Sequence, residues 1–454
     1  MDDATTSLKN RPVNDTTVTR TETDSSARRY PSYKDSGVEW LGEIPQHWNR
    51  PKLAFLIRDS NAGEVIDKSH WGEGDQTLYS CKRTPIISSY SDFPESRRCR
   101  GDELLLTRNG TPYVHLPERG AIYTNVVQRV EIADKLDRGF AWFALGQAAG
   151  TLRGFGDIIA SFNLSTWKGL RIPLPPLPEQ RAIAAFLDRE TEKIDALIEK
   201  KQRLIERLEE KRTALISHTV TKGLDPDAEM KDSGVEWLGE IPKHWETGKL
   251  KFISPRQSVG LVINPSSYFS PKGQVPFILG NNITKREIRT KDAPRITEAS
   301  NQKLRNSMLR AGDLVTVRVG EPGVTAVVPP ELDKSNCGSV LIIRRSHSFI
   351  SEWLAYTINS KVGKTQIELV EYGAAQRQFN LGHAVNFVFA IPSKAEQKKI
   401  VDFLNCETGR IDTLIEKVRN GISRLQEYRT ALISAAVTGE IDVRDAVSPS
   451  EVNA

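Results

Sequence analysis

The chain has 454 residues, of which 38% are apolar and 27% charged, with a formal net charge of +5. That length predicts two to four domains with real cores, and the composition excludes a disordered or fibrous protein. So small a net charge names no partner by itself. No apolar run is long enough to span a bilayer and none follows the start methionine, so neither membrane insertion nor secretion is expected and the predicted location is cytoplasmic. The four cysteines, Cys81, Cys99, Cys337 and Cys406, show neither Cys-x-x-Cys spacing nor a histidine at zinc-finger spacing. They read as free thiols.

Residues 1–29 are rich in Thr, Asp, Ser and Arg and nearly lack large apolar side chains, the pattern of a disordered tail. Residues 30–50 hold Asp35-Ser-Gly-Val-Glu-Trp-Leu-Gly-Glu-Ile-Pro45-Gln-His-Trp48. The block returns at Asp232 through Trp245 with one change, Gln46 to Lys243. A match this long marks an internal duplication. Trp40, Leu41, Ile44 and Trp48 give the block an apolar side, while Gly37, Gly42 and Pro45 punctuate it, so it reads as a packed, non-regular strap.

Residues 51–178 form a first insert of mixed α and β character, with strands expected at Asp102–Arg108, Ala121–Thr124 and Val126–Ile132 and a short helix at Phe140–Leu145. Prolines 173, 175, 176 and 178 close it. Residues 179–224 then change to a helical period without an interrupting glycine or proline up to Gly223. Some 38 residues of it make a rod of roughly 57 Å. Its seam is read as Ile194, Leu197, Leu204, Leu208 and Leu215. A single apolar seam needs a partner helix.

Residues 225–248 carry a turn and the second strap, 249–394 a second insert, 395–436 the second long helix, and 437–454 a short, frayed tail. The second seam is read as Ile411, Leu414, Val418, Leu425 and Leu432. The two helical blocks share Ile-Asp-x-Leu-Ile-Glu-Lys and Arg-Thr-Ala-Leu-Ile-Ser. A pseudo-two-fold between halves runs them antiparallel. The fold class is therefore α+β: two mixed domains separated by two long helices paired as an antiparallel coiled coil. Within the inserts, Gly101-Asp102 to Gly110 is echoed by Gly312-Asp313 to Gly320, Thr124-Asn125 by Ser335-Asn336, and Phe162-Asn163-Leu164 by Phe379-Asn380-Leu381.

Catalytic patterns are missing. Gly363-Lys364-Thr365 has Ile358 where a phosphate loop needs glycine, Gly154-Phe-Gly156 lacks the third glycine of a dinucleotide fingerprint, and Asn264-Pro-Ser-Ser is not a base-methyltransferase tetrapeptide. His47 and His244 lie in the duplicated straps, where packing explains the repetition better than catalysis. Asp102 and Asp313 read as turn residues before strands. No metal site is expected.

The remaining signal is basic. The first insert carries a net charge of about +2 and the second about +10, a bias compatible with nucleic acid. Arg97, Arg98 and Arg100 cluster in one segment, with Arg108 following the strand. Asn281, Asn282, Lys285, Arg286 and Arg289 cluster in another, and Gln376, Arg377 and Gln378 precede Phe379. Arg, Gln and Asn reach base edges bidentately and Lys binds phosphates. These twelve residues are the candidate DNA contacts, each weighed against a solvated surface charge.

Assembled, the chain resembles the specificity subunits of type I restriction–modification systems. The resemblance rests on Tyr33-Lys34-Asp-Ser-Gly-Val-Glu-Trp-Leu-Gly-Glu-Ile-Pro45 with its second copy, and on Ile172-Pro-Leu-Pro-Pro-Leu-Pro-Glu179-Gln180 entering the long helix. The second half departs with Ile391-Pro-Ser-Lys-Ala-Glu396-Gln397. The resemblance implies a non-catalytic subunit whose two inserts each read one half of a bipartite target in double-stranded DNA, the helices setting the spacer. It implies two methyltransferase and two motor-nuclease subunits as partners, and no cofactor on this chain, since S-adenosylmethionine, ATP and magnesium are used by those subunits. Half-sites then lie about one turn, ~34 Å, apart. The alternatives are a modification-only or other restriction system, and a coiled-coil adaptor that binds no DNA.

Overall fold

The computed structural model describes residues 28–152, 161–371 and 377–446, which fall into two compact units, one of residues up to 197 with 424 onward and the other of residues 198–423. Both long helices cross the division, so each unit contains the start of one helix and the end of the other.

In the first unit the strap is a hairpin of β1 (Tyr33–Asp35) and β2 (Glu43–Pro45), turned by Gly37 and Gly42 at positive φ. The insert supplies β3 (Ile57–Ala62), β4 (Trp71–Tyr79), β5 (Ile86–Ser88), β6 (Leu104–Thr107), β7 (Val114–His115), β8 (Ile122–Tyr123) and β9 (Val127–Ile132). These form a four-stranded antiparallel sheet ordered β3-β9-β6-β7 and a three-stranded sheet ordered β5-β4-β8, in which β4 and β8 run parallel. Helix α1 (Arg138–Ala149) and the short α2 (Leu164–Gly169) complete the insert, and α3 (Leu177–Lys222) leaves it. Strand β6 is buried at every position because it lies inside its sheet. That explains Leu104-Leu-Leu where a half-exposed strand would alternate.

The second unit repeats this order. The strap is β10 (Met230–Asp232) with β11 (Glu240–Pro242), followed by β12 (Glu246–Lys249) and the single turn α4 (Leu250–Ile253). Then come β13 (Gln257–Val259), β14 (Val275–Ile278), β15 (Arg295–Ile296), α5 (Glu298–Lys303), β16 (Leu314–Val317), β17 (Thr325–Val327), β18 (Asn336–Cys337) and β19 (Val340–Ile343). Helices α6 (Ser351–Asn359), α7 (Lys361–Glu368) and α8 (Leu381–Ala384), strand β20 (Val388–Ile391) and α9 (Lys394–Thr438) end it. The sheets are ordered β13-β19-β16-β17 and β15-β14-β18, with β14 parallel to β18. Both of these sheets match those of the first insert strand for strand, and β12 pairs with β20 where the first insert has only the isolated bridges Asn49–Leu174 and Lys52–Arg171, so the inserts share one fold although their sequences hardly agree.

Register corrects two of the expected echoes. Leu104 pairs with Val130 as Leu314 pairs with Ile343, so Asp313 corresponds to Glu103, not to Asp102. Both corresponding carboxylates are fully buried and each accepts backbone N–H bonds and an arginine, Arg129 at 3.0 Å in one unit and Arg344 at 2.6 Å in the other. Thr124 donates its N–H to the carbonyl of Tyr79 as Gly338 does to Ile278, which displaces Ser335-Asn336 from the expected match. The Phe-Asn-Leu echo is real in the fold. Phe162 and Phe379 are buried, and Asn163 and Asn380 cap α2 and α8 by accepting from Thr166 and His383.

The helices run 46 and 45 residues; α3 begins and ends two residues before the expected block 179–224, and α9 begins one residue before and ends two after the expected 395–436. Pro178 sits in the first turn of α3, where a missing N–H costs nothing. Their contact face follows strict steps of four and three: Ile194, Ile198, Lys201, Ile205, Leu208, Arg212 and Leu215 on α3, and Ile411, Ile415, Val418, Ile422, Leu425, Arg429 and Leu432 on α9, all buried or half-buried. Leu197, Leu204 and Leu414, read as seam residues, are 43%, 45% and 48% exposed. Each stands one position from the stripe, about 100° around the helix, and the adjacent isoleucine takes its place. The arginines within the stripe meet the duplicated aspartates. Arg429 donates twice to Asp195, at 3.0 and 3.2 Å, and Arg212 Nε lies 3.5 Å from Asp412. Arg419 also bonds Glu209 at 3.3 Å, so within the second unit the helices run antiparallel.

The C-terminal segment is not frayed up to residue 446. Val443 is buried with Ala436 and Val437 in the first core, and Asp442 N–H bonds the carbonyl of Arg28 at 2.7 Å. Among the described residues no helix is long and apolar enough to cross a membrane.

Candidate nucleic-acid interface

The straps organise each unit around the ends of both helices. Trp48 is fully buried and its indole N–H donates to Glu179 at 3.2 Å, with His47 Nε2 2.9 Å from the same carboxylate. Trp245 and His244 hold Glu396 at 3.1 and 2.7 Å. Glu179 and Glu396 lie in the first turns of α3 and α9, where a carboxylate also suits the helix dipole. The same tryptophans pack on the glycines that end the opposite helices. Gly439 has φ +75°, and a side chain there would meet Pro45 and Trp48 within 3 Å; Gly223 has φ +80° and faces Trp245. The adjacent glutamines reach into the inserts: Gln180 accepts from the N–H of Asp137 before α1, and Gln397 from that of Ile350 before α6, both at 2.8 Å. The duplicated strap thus clasps one helix start and one helix end, and the duplicated Glu-Gln fixes the insert to them. Both histidines have carboxylate partners, and those carboxylates are spent on this clasp.

Burial pushes the carboxyl of Glu396 upward, but hydrogen bonds from His244, Ser393 and Trp245 outweigh it and hold the group at about 2. Burial likewise pushes the Cys99 thiol up to about 12. All four cysteines are free thiols, and among the described residues no three His, Cys, Asp or Glu side chains gather as a metal site would require.

The expected DNA contacts divide into tied and open side chains. Arg97 pairs with Glu64 and bonds the carbonyl of Ala62, bracing its turn to β3. Arg98 bonds Glu95 at 2.7 Å and the carbonyl of Gly120 at 3.0 Å. Arg100, half exposed, pairs with Glu131 and lies 3.4 Å from Glu103. Arg108 is half-buried and bonds the carbonyl of Asn125 at 3.2 Å. Asn281 is exposed. Asn282 is 4% exposed and accepts from the N–H of Leu279, so it closes a turn and has no face for a base. Lys285 and Arg289 are exposed, Arg289 beside Glu287 at 2.9 Å. Arg286 pairs with Asp412 on α9. Arg377 is 70% exposed and 3.3 Å from Glu371; Gln378 is half-buried and bridges Val319; Gln376 lies outside the described residues.

Two groups escaped the sequence reading. Arg318 is the register partner of Arg108, and its Nε donates to the carbonyl of Phe379 at 3.3 Å. Lys82 and Arg83 are exposed in the β4–β5 loop, over the rings of Trp71 and Tyr113 at 5.8 and 5.5 Å. That loop corresponds to the β14–β15 loop bearing Lys285 and Arg286. A basic pair after a strand was the available signal. The first loop lines a crevice of about 270 Å³ against α9 beside Arg429, and the second a crevice of about 330 Å³ against both long helices beside Arg212.

Residues 96–207 match the sequence family described as "Type I restriction modification DNA specificity domain". The chain is 23% identical over 417 residues to the type I restriction enzyme MjaVIII specificity subunit of Methanocaldococcus jannaschii, covering 88% of this chain and 95% of that one. It is also 23% identical over 331 residues to the EcoBI specificity subunit of Escherichia coli, covering 71% and 69%. A solved structure described as the "structural basis underlying complex assembly and conformational transition of the type I R-M system" superposes with a TM-score of 0.65 at 16% identity, covering 87% of this chain and 98% of that one. The chain is related to the type I specificity subunits. It shares their fold, and the matched family segment joins the second half of the first insert to more than half of α3. That relation gives the twin inserts and the long helices a common context with proteins named for specificity.

Proposed function

We propose that this chain is the DNA-specificity subunit of a type I restriction–modification complex. Each insert reads one half of a bipartite, asymmetric target. The helix pair sets the spacer between half-sites and docks methyltransferase subunits. The chain has no catalysis of its own, and S-adenosylmethionine, ATP and magnesium belong to the methyltransferase and motor-nuclease subunits. The observation that carries this reading is one fold present twice on a duplicated clasp, with the surfaces of the two copies diverged. A constant frame suits constant partners, and changed surfaces suit two different sequences. Identical readers would favour a palindrome; these differ in charge and in loop length.

The test is to express the chain with its candidate methyltransferase in a host free of DNA methylation and to map the modified bases. Adenine methylation at a split, asymmetric motif is the expected result. Methylation that is unchanged when this chain is omitted would overturn the reading.

A further inference from the structure

The duplicated helices specify the same ion pair twice. Asp195 and Asp412 stand in the two copies of Ile-Asp-x-Leu-Ile-Glu-Lys, and Arg212 and Arg429 open the two copies of Arg-Thr-Ala-Leu-Ile-Ser. In the first unit the pair is complete: Arg429 donates to both oxygens of Asp195, at 3.0 and 3.2 Å. In the second unit it is not. Arg212 Nε lies 3.5 Å from Asp412, is buried, and has no hydrogen-bond partner among the described residues. The helices carry the same two residue types at both places, so the cause of the difference lies outside them.

That cause is Arg286. From the β14–β15 loop it reaches α9 and bonds Asp412 Oδ1, the same oxygen that Arg212 faces. The carboxylate is covered accordingly: the side chain of Asp412 is 21% exposed and that of Asp195 54%. In the first unit the corresponding loop directs Arg83 over the ring of Tyr113 at 5.5 Å, and Asp195 stays with Arg429. One frame is therefore seen in two arrangements, with a helix arginine on the helix aspartate in one unit and an insert arginine on it in the other. An unpaired buried N–H on Arg212 costs free energy, and the Arg286 bond offsets that cost. Exchanging one guanidinium–carboxylate pair for another keeps the two arrangements of the second unit close in free energy, which is the condition for a switch.

Arg286 is placed to leave. Its side chain is 56% exposed, on a loop whose Lys285, Arg289 and Lys291 are exposed as well. A guanidinium takes a phosphate with the same two-pronged geometry as a carboxylate. The crevice of about 330 Å³ lined by Arg212, Arg286 and Asp412 gives both arginines room to turn.

We propose that Arg286 is an ionic latch. It holds the β14–β15 loop on α9 through Asp412 until a phosphate of the DNA backbone draws it off, and Arg212 then closes on Asp412 as Arg429 does on Asp195. Asp412 is a positioning residue: it withholds Arg286 from DNA and couples occupation of the second insert to the tightening of the helix pair. The inference rests on the function proposed above.

The experiment uses the full chain with its methyltransferase and a duplex carrying the mapped motif, and reads a double-mutant cycle by fluorescence anisotropy and by melting. Arg286→Ala is expected to weaken DNA binding and to lower the salt slope by about one. Asp412→Asn is expected to strengthen binding by about threefold, the scale of one partly exposed ion pair, and to have no such effect in the Arg286→Ala background. Removal of a charge acting at long range would strengthen both backgrounds equally. Arg212→Ala is expected to lower the melting temperature more in the Arg286→Ala background, where Asp412 has returned to Arg212, than in the wild type. If the Asp412→Asn chain does not fold, Arg286→Ala and Arg212→Ala carry the test. Asp412→Asn that fails to strengthen binding, or does so equally in both backgrounds, overturns the latch. So does an unaltered salt slope in Arg286→Ala, or an equal loss from Arg212→Ala in both backgrounds. A wild-type complex that binds the motif no better than an unrelated duplex overturns the functional reading, and this inference with it.

Discussion

At the scale of residues, one carboxylate per unit joins strap to helix, and the two copies differ in burial. Glu179 is 6% exposed and accepts from Trp48, with His47 at the same group. Glu396 is half-exposed and is held at about 2 by His244, Ser393 and Trp245 against the opposing effect of burial. A carboxylate lowered in the folded state contributes stability above its unfolded value near 4.5, and that contribution is lost as pH falls toward 2. Glu396→Gln should therefore flatten the acid side of the stability profile: between pH 5 and 2 the variant loses less melting temperature than the wild type. At neutral pH it costs about 1 kcal/mol, whereas Glu179→Gln, with a charge-assisted bond in a dry site, costs roughly 2–3 kcal/mol. Thermal melts of both variants across pH measure this. Equal acid slopes for Glu396→Gln and wild type would remove the carboxylate from that role.

At the scale of elements, the contact face of the helix pair is set by heptad phase. Leu414 and Ile415 are neighbours, yet one is 48% exposed and the other 6%. Ile415→Glu should lower stability by roughly 2–4 kcal/mol through a charge forced into the seam, and Leu414→Glu should stay within about 0.5 kcal/mol. Circular dichroism melts compare them; equal losses would mean that the seam has another phase. The contrast shows what the sequence made legible. Duplication, helix pairing and the shared insert fold follow from repeated blocks and period. The phase did not, because leucines and isoleucines alternate along α3 and either set fits a stripe. Arg212 and Arg429 were invisible as seam residues because an arginine reads as surface until its aspartate is placed. In the candidate site, basic segments were legible as charge and not as direction. Arg97, Arg98 and Arg286 are engaged with Glu64, Glu95 and Asp412, partners distant in sequence for all but Arg98. Asn282 is buried by a turn that its own side chain closes.

At the scale of the whole molecule, the two inserts share topology and differ in field. The second carries about +10 against about +2 for the first, so under the function proposed here its half-site should contribute most of the electrostatic term of DNA binding. Cations that neutralise phosphates release counterions, and the logarithm of affinity falls with the logarithm of salt by about 0.9 per contact. Arg377 is 70% exposed, with one carboxylate at 3.3 Å, and is free to exchange that partner for DNA. Arg97 is held in its own domain. Arg377→Ala is expected to weaken binding by about 1–3 kcal/mol and to relax the preference at one position of the target. Lys291→Ala, from the exposed basic loop, is expected to lower the salt slope by about one without changing preference. Arg97→Ala is expected to lower the melting temperature and leave the salt slope unaltered. Fluorescence anisotropy on duplexes carrying the mapped motif, from 50 to 200 mM salt, separates the three. If Arg377→Ala changed neither affinity nor preference while Arg97→Ala changed the slope, the reading surface would lie on the first insert's basic turn, and the assignment of the stronger field to recognition would be wrong.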